Sequence, residues 1–220
     1  MAVLMEQNRV NSLLAKFKLP VVKQDVSKTA EDAIKLAKKL GFKLGFPVAM
    51  KIVSPDIIHK TEAGAIKVNI RNEQEAKTAY DEIIANCKKY NSKAKLNGVL
   101  IQQMVSGQEV IVGMKNDAQF GPVIMVGLGG VLVELLKDVS FRVTPVNKTM
   151  ALEMLHELKG FKLLDGFRGS KKANLNSLAD IIVKTSELAS KTKNIWELDF
   201  NPVIVNDKNA FIVDARIMTK

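Results

Sequence analysis

Ser54-Pro55-Asp56-Ile57-Ile58-His59-Lys60-Thr61-Glu62-Ala63-Gly64 is a polar loop carrying a histidine, and its flanks set the architecture. Upstream, Pro47-Val48-Ala49-Met50-Lys51-Ile52-Val53 reads as a buried strand in which Lys51 is the only charge. Downstream, Gly64 to Ile70 alternates apolar and polar residues, the period of a second strand. His59 is therefore expected on a connection between strands, where a partner can reach its ring. A neutral imidazole is nucleophilic near pH 7, and its phosphoramidate is energetic enough to hand phosphate onward. A histidine on a polar loop is more often plain surface, so His59 gains weight only from the rest of the chain.

With 220 residues, 47% of them hydrophobic and 25% charged, the chain can bury one large core or two smaller ones. The formal charge of +10 comes mostly from lysines scattered along helix faces, and 5% of residues are aromatic. No basic run with interleaved aromatics occurs, so nucleic acid is not an expected partner. A basic surface also suits an anionic ligand such as a nucleotide or coenzyme A. A single cysteine forms no internal disulfide, which points to a reducing compartment. Cys87 falls on the helical stripe Ala76, Tyr80, Ile83, Cys87, Tyr90 and is expected in the core. No apolar run approaches a membrane span, and the N-terminus has no leader pattern; a cytoplasmic protein without membrane contact is expected.

Helices and strands are mixed. A first helix is expected over about 4–17, ending at Pro20. Thr29 with Asp32 opens a second, closed by Gly41. Strands near 47–53 and 64–70 precede a helix over about 73–90. Gly98–Val105 and Gln108–Met114 read as two strands of a hairpin turning at Ser106-Gly107. Pro122–Leu128 is another strand, ending in Gly127-Leu128-Gly129-Gly130, and a short element leads to Phe141-Arg142-Val143-Thr144-Pro145. Helices over about 147–158 and 177–190 follow, the latter opened by Ser177. The natural seam lies near 103–107, giving an N-terminal subdomain 1–103 and a C-terminal subdomain 104–220.

The last two strands, Ile195–Val205 and Ala210–Met218, are joined by Asn206-Asp207-Lys208-Asn209. Alternation in Trp196-Glu197-Leu198-Asp199-Phe200-Asn201-Pro202 puts Glu197, Asp199 and Asn201 on one face. Across the hairpin, Asp214 is an isolated acid in an apolar run, with Arg216 two residues on. A few hard oxygen ligands, with room left for phosphate and water, is what nucleotide-bound Mg²⁺ requires.

Lys51, His59-Lys60-Thr61-Glu62-Ala63-Gly64, Gln108-Glu109-Val110, Phe120-Gly121-Pro122-Val123, Gly127-Leu128-Gly129-Gly130 and Glu197-x-Asp199-x-Asn201-Pro202 occur in that order. Together they resemble the ATP-grasp β subunit of ADP-forming acetyl-CoA synthetase, a relative of succinyl-CoA synthetase, over nearly the whole chain. The resemblance implies an α+β ATP-grasp fold of two α/β subdomains with nucleotide bound between them. It implies that Lys51 contacts nucleotide phosphates and that His59 takes phosphate from a phosphohistidine on an α subunit and passes it to ADP. Gln102, Gln103, Met104 and Val105 would hold adenine, and Glu109 would lie near the nucleotide. Asn201 and Asp214 would bind Mg²⁺, and Asp199 would orient the phosphohistidine. Gly129 and Gly130 would let backbone approach phosphate. Two departures stand out: where the family has paired glycines, Gly64 is followed by Ala65, which a positive φ would strain; and the stretch 41–46 is long.

No Gly-x-Gly-x-x-Gly follows a strand, and His156, on a helix beside Glu153 and Glu157, is not a rival nucleophile. The chain is thus expected to be half of an enzyme that uses ADP/ATP and Mg²⁺. An α subunit would supply the coenzyme A site and first phosphohistidine, in an α2β2 heterotetramer. A self-contained ATP-grasp carboxylate–amine ligase and a regulatory nucleotide-binding module without turnover are the alternatives; neither needs His59.

Overall fold

The computed structural model describes residues 2–40, 46–57, 59–130 and 137–220. The chain divides into two compact units, Val22–Val105 and a second that joins Met1–Val21 to Ser106–Lys220. The seam falls near the expected one, but the first 21 residues belong with the C-terminal half rather than with 22–103. Backbone pairing is the reason. Strand β1 (Val3–Leu4) runs antiparallel to β11 (Ala215–Thr219), and helix α1 (Gln7–Lys16) buries Val10 and Leu14 in that unit's core. The Ile212 N–H donates to the Pro20 carbonyl at 2.8 Å.

The unit Val22–Val105 contains β2 (Gln24–Ser27), α2 (Ala30–Leu40), β3 (Val48–Ile52), β4 (Ile66–Ile70), α3 (Glu73–Tyr90) and β5 (Val99–Gln103). Its strands form an antiparallel sheet in the order β2-β5-β3-β4. Thr29 caps α2 as the sequence suggests, its hydroxyl accepting from the Asp32 N–H at 3.1 Å. Asn72 caps α3, accepting from Glu75 N–H at 2.8 Å, while the Glu75 carboxylate accepts from Arg71 N–H at 2.8 Å. Small residues on the helices (Ala33, Ala37, Ala76, Ala79), with Ile83 and Cys87, seat them against Val48, Met50, Ile52, Val99 and Ile101. The opposite face of the sheet carries Val26, Ala49, Lys51, Ile66, Leu100 and Gln102 in register. Gly41 and the long stretch 41–45 lie outside the described residues.

In the other unit the strand order is β1-β11-β9-β6-β7-β8, from β6 (Gln108–Asp117), β7 (Gly121–Leu128), β8 (Val139–Val143) and β9 (Ile195–Val205); β10 (Ala210–Ile212) also pairs with β9. Helices α4 (Lys148–His156) and α5 (Leu175–Lys191) contribute Ala151, Met154, Leu155, Leu178, Ile181 and Ile182 to one core with Val110, Val112, Ile124, Val126, Leu198 and Phe200. Arg142 on edge strand β8 pairs with Glu157 just beyond α4, and the Ser140 hydroxyl donates to the same carboxylate at 2.6 Å.

Two sequence expectations fail here. Residues 98–114 are not a hairpin, because β5 and β6 lie in different sheets. At Gly107 the backbone instead passes so close to β9 that an added Cβ would sit 2.3 Å from the Val205 carbonyl oxygen. The cap of α5 is Asn174, which accepts from Ser177 N–H at 3.0 Å; Ser177 turns its hydroxyl to the Ala210 N–H at 2.9 Å. Among the described residues, no helix is long and apolar enough to cross a membrane.

Candidate active site

The C-terminal hairpin brings two of its expected metal ligands face to face. Its return strand is interrupted at Val213-Asp214, which splits it into β10 and β11. At that break the Asn201 N–H donates to the Asp214 carbonyl at 3.1 Å, and the Val213 N–H donates to the Pro202 carbonyl at 3.0 Å. Asn201 and Asp214 are thus directly opposed, with side chains on the same face of the sheet. An amide and a carboxylate oxygen are hard donors, and phosphate oxygens and water can complete the six positions of a Mg²⁺ ion. Among the described residues, no three of His, Cys, Asp and Glu cluster in a way that would hold a metal on their own.

Asp199 lies two residues before Asn201 on that face and pairs in register with Arg216 on β11 and Gly113 on β6. Burial pushes its carboxyl above the ordinary aspartate range; Arg216 opposes the shift, and Asp214 and Glu197 add to it. The next row of the sheet holds Glu197 opposite Lys115. From Asp199 a trough of about 650 Å³ runs away from Asn201 and Asp214, over Gly113 and Met125 toward Phe141 and Trp196. Its floor is open at position 113, where any side chain would press on the Met125 methyl, 3.1 Å from an added Cβ.

Glu109 lies beyond Asn201 and Asp214 in the opposite direction, in register with Ile204. Gly129 donates its N–H to the Glu109 carbonyl at 2.6 Å, and an added Cβ there would meet the Glu109 Cβ at 2.6 Å. Close backbone approach is therefore the physical need at Gly129, and at Gly130 it is a φ of +74°. The segment 131–136 that follows lies outside the described residues.

His59 belongs to the other unit. Its loop is fastened at both ends: Asp56 accepts from Lys95 N–H at 2.7 Å, and Asn86 on α3 donates to the Gly64 carbonyl at 3.0 Å. Inside, Ala63 N–H donates to the His59 carbonyl at 3.1 Å and Ala65 N–H to the Lys60 carbonyl at 2.8 Å. Buried Ile57, Ala63 and Ala65 peg this turn into the core, while the His59 side chain stays 68% exposed, with Nδ1 3.9 Å from Glu62. The expected strain at Ala65 does not arise, since the positive φ, +60°, falls on Gly64. Ile58 lies outside the described residues.

Lys51 is half-buried on β3, in register with Leu100 and Ile66. Gln102 is buried on the same face, and its amide donates to Gln24 Oε1 at 2.7 Å. Gln103 turns to the other face and donates its N–H to the Lys23 carbonyl at 2.8 Å. The Met104 sulfur accepts from the Asn69 N–H at 3.0 Å, and Val105 ends the unit. Asp199, Asn201, Asp214 and Glu109 thus share one unit; Lys51, His59 and Gln102 to Val105 share the other.

Residues 2–219 match the ATP-grasp domain family. The chain belongs to that family. It is 48% identical over 207 residues to the β subunit of ADP-forming acetate–CoA ligase I of Pyrococcus furiosus, covering 94% of this chain and 88% of that one. That places it among the β subunits of ADP-forming acetate–CoA ligases. The dinucleotide-forming acetyl-coenzyme A synthetase 1 of Ca. Korarchaeum cryptofilum, solved with coenzyme A and Ca-AMPCP, superposes with a TM-score of 0.92 at 39% identity, covering 100% of this chain and 93% of that one. A second structure of that enzyme holds coenzyme A and Mg-AMPPCP, with its phosphohistidine segment pointing towards the nucleotide binding site. It matches with a TM-score of 0.84 at 37% identity, over 99% of this chain and 93% of that one.

Sequence reading missed two features of the site. Arg216 was visible as a charge, but its pairing with Asp199 depends on the register set by the break at Val213-Asp214. Gly113 sits in an unremarkable strand run, and only the pairing of three strands shows that its missing side chain opens the trough beside Asp199.

Proposed function

We propose that this chain is the nucleotide-binding subunit of an ADP-forming acyl-CoA synthetase, acting in the cytoplasm with an α subunit in an α2β2 assembly. The subunit would carry phosphate between a phosphohistidine on that partner and ADP. The observation that carries the reading is the presentation of His59: a largely exposed imidazole on a loop fastened to its core at both ends. Such a ring can receive a phosphoryl group without rearrangement of the strands behind it.

In the direction of ATP formation, a ring nitrogen of His59 attacks the phosphorus held by the partner's histidine. The partner's N–P bond breaks as the His59 N–P bond forms. A terminal oxygen of ADP then attacks the same phosphorus, the His59 N–P bond breaks, and ATP leaves with His59 neutral again. Lys51 pairs with nucleotide phosphates, and Gln102 to Val105 with Glu109 hold the base and sugar end. Asn201 and Asp214 would hold Mg²⁺, which offsets the charge of the phosphates. Asp199, held opposite Arg216, orients the imidazole that presents the phosphoryl group. Along β9 the order Ile204, Asn201, Asp199 supports an arrangement in which nucleotide and metal would lie on one side of Asp199, with the trough on the other. The trough is accordingly the side from which the phosphoryl donor arrives.

Incubation with ³²P-labelled ATP and Mg²⁺ tests this. The chain should become labelled in an acid-labile, base-stable form, and Ala at position 59 should remove the label. Label that persists in His59→Ala would refute the reading.

A further inference from the structure

The loop between α4 and α5 is closed at its neck, where Ala173 N–H donates to the Leu164 carbonyl at 2.8 Å. Leu164 is fully buried there. Beyond the neck the chain takes three left-handed residues in four: Gly166 (φ +93°), Arg168 (φ +50°) and Gly169 (φ +81°). Two of them are glycines. Arg168 is not, and an L side chain in that region costs free energy that glycine would not. Ser170 locks the turn, its N–H and hydroxyl both donating to the Phe167 carbonyl, at 3.1 and 2.8 Å.

The product is a displayed pair. Phe167 is 47% exposed, and the Arg168 guanidinium lies 5.2 Å over its ring. A stacked guanidinium keeps its edge donors free for a carboxylate. The loop also bears Lys159, Lys162, Lys171 and Lys172. The acids at hand are already engaged, Asp165 with Lys172 at 2.9 Å and Asp207 with Lys171 at 2.7 Å. Among the described residues, no carboxylate forms an ion pair with Lys159, Lys162 or Arg168. None of this takes part in the phosphoryl transfer described above.

We propose that the Phe167–Arg168 tip is a docking point for an acidic surface with an apolar pocket on the α subunit; this rests on the reading that the chain works with such a partner. A bare phosphate would satisfy the cations but leave the phenyl ring exposed. A protein surface covers both, and an aromatic beside an arginine is the composition that carries interface energy. The left-handed backbone at Arg168 sets its guanidinium over the Phe167 ring.

Arg168→Gly separates docking from folding, since glycine adopts the same φ without strain. Titrating the α subunit of the same ligase against wild type, Arg168→Gly, Phe167→Ala and Arg168→Lys should give dissociation constants at least tenfold weaker for the first two variants. Arg168→Lys should be intermediate. The Arg168→Gly thermal midpoint should not fall below that of wild type, and its stabilisation by ADP and Mg²⁺ should be unchanged. Added salt should weaken wild-type assembly more than that of Arg168→Gly. Wild-type affinity in both Arg168→Gly and Phe167→Ala would overturn the inference and leave the functional reading intact. Failure of the wild type itself to assemble would overturn both.

Discussion

Asn201 and Asp214 face each other across the break in the return strand of the C-terminal hairpin, the Asn201 N–H on the Asp214 carbonyl at 3.1 Å. The main chain fixes their spacing, so substitution of either side chain leaves the frame intact. Asn201→Ala and Asp214→Ala are each expected to lose about 1–3 kcal/mol of Mg²⁺–nucleotide binding, the scale of one polar or charged contact. Thermal midpoints without ligand should stay close to wild type. Equal stabilisation of Asp214→Ala and wild type by ADP and Mg²⁺ would rule out the metal assignment.

His59→Ala should abolish phosphate transfer to ADP while nucleotide binding persists. Its side chain is 68% exposed, so stability should change by less than about 0.5 kcal/mol. His59→Gln distinguishes a nucleophile from a polar contact, because appreciable turnover with glutamine would show that no bond to phosphorus forms there.

Two glycines should differ in degree for physical reasons. Gly129→Ala forces a Cβ to within 2.6 Å of the Glu109 Cβ and 2.9 Å of its carbonyl carbon. Neither neighbour can yield freely, and a loss of about 1–3 kcal/mol is expected, with weaker nucleotide binding as Glu109 shifts. Gly121→Ala meets open space and carries only the strain of φ +73°, about 1 kcal/mol. Chemical denaturation and ADP titration of the pair would check the order.

Arg142 and the Ser140 hydroxyl hold the Glu157 carboxyl below the ordinary glutamate range. A depressed carboxyl stabilises the fold above its unfolded value and loses that contribution as pH falls through the lower, folded value. Glu157→Gln should therefore lower the thermal midpoint at pH 7, and the two curves should converge below the usual glutamate range. A difference that persists undiminished at pH 2 would mean that packing, not charge, ties β8 to α4.

Local signals described the helices well. The stripe over 73–90 needed only its own periodicity, and Thr29 caps where its spacing with Asp32 says it should. Long-range pairing was another matter. Ser106-Gly107 has the composition of a hairpin turn, yet its glycine answers to Val205, nearly a hundred residues away. Asn174 and Ser177 are both competent caps, and the choice falls to Ala210, whose N–H claims the serine. In the site, the alternation of β9 sufficed to align Asp199 with Asn201, whereas the Arg216 pairing and the gap at Gly113 required neighbouring strands. His59 stood out by its chemistry, but what fastens its loop, Asn86 and the Lys95 N–H, lies well beyond it in sequence.

The pairing of Val3 with Thr219 separates the order of synthesis from the order of folding. Residues 22–105 are contiguous and carry their own core, so they can condense as soon as they emerge. The first strand cannot. It must wait, with Val3 and Leu4 unpaired, until residues 215–219 are made, and that closure spans more than two hundred residues. Any chaperone that attends this protein during translation would find a client segment in Val3 and Leu4, whose strand partners are made more than two hundred residues later.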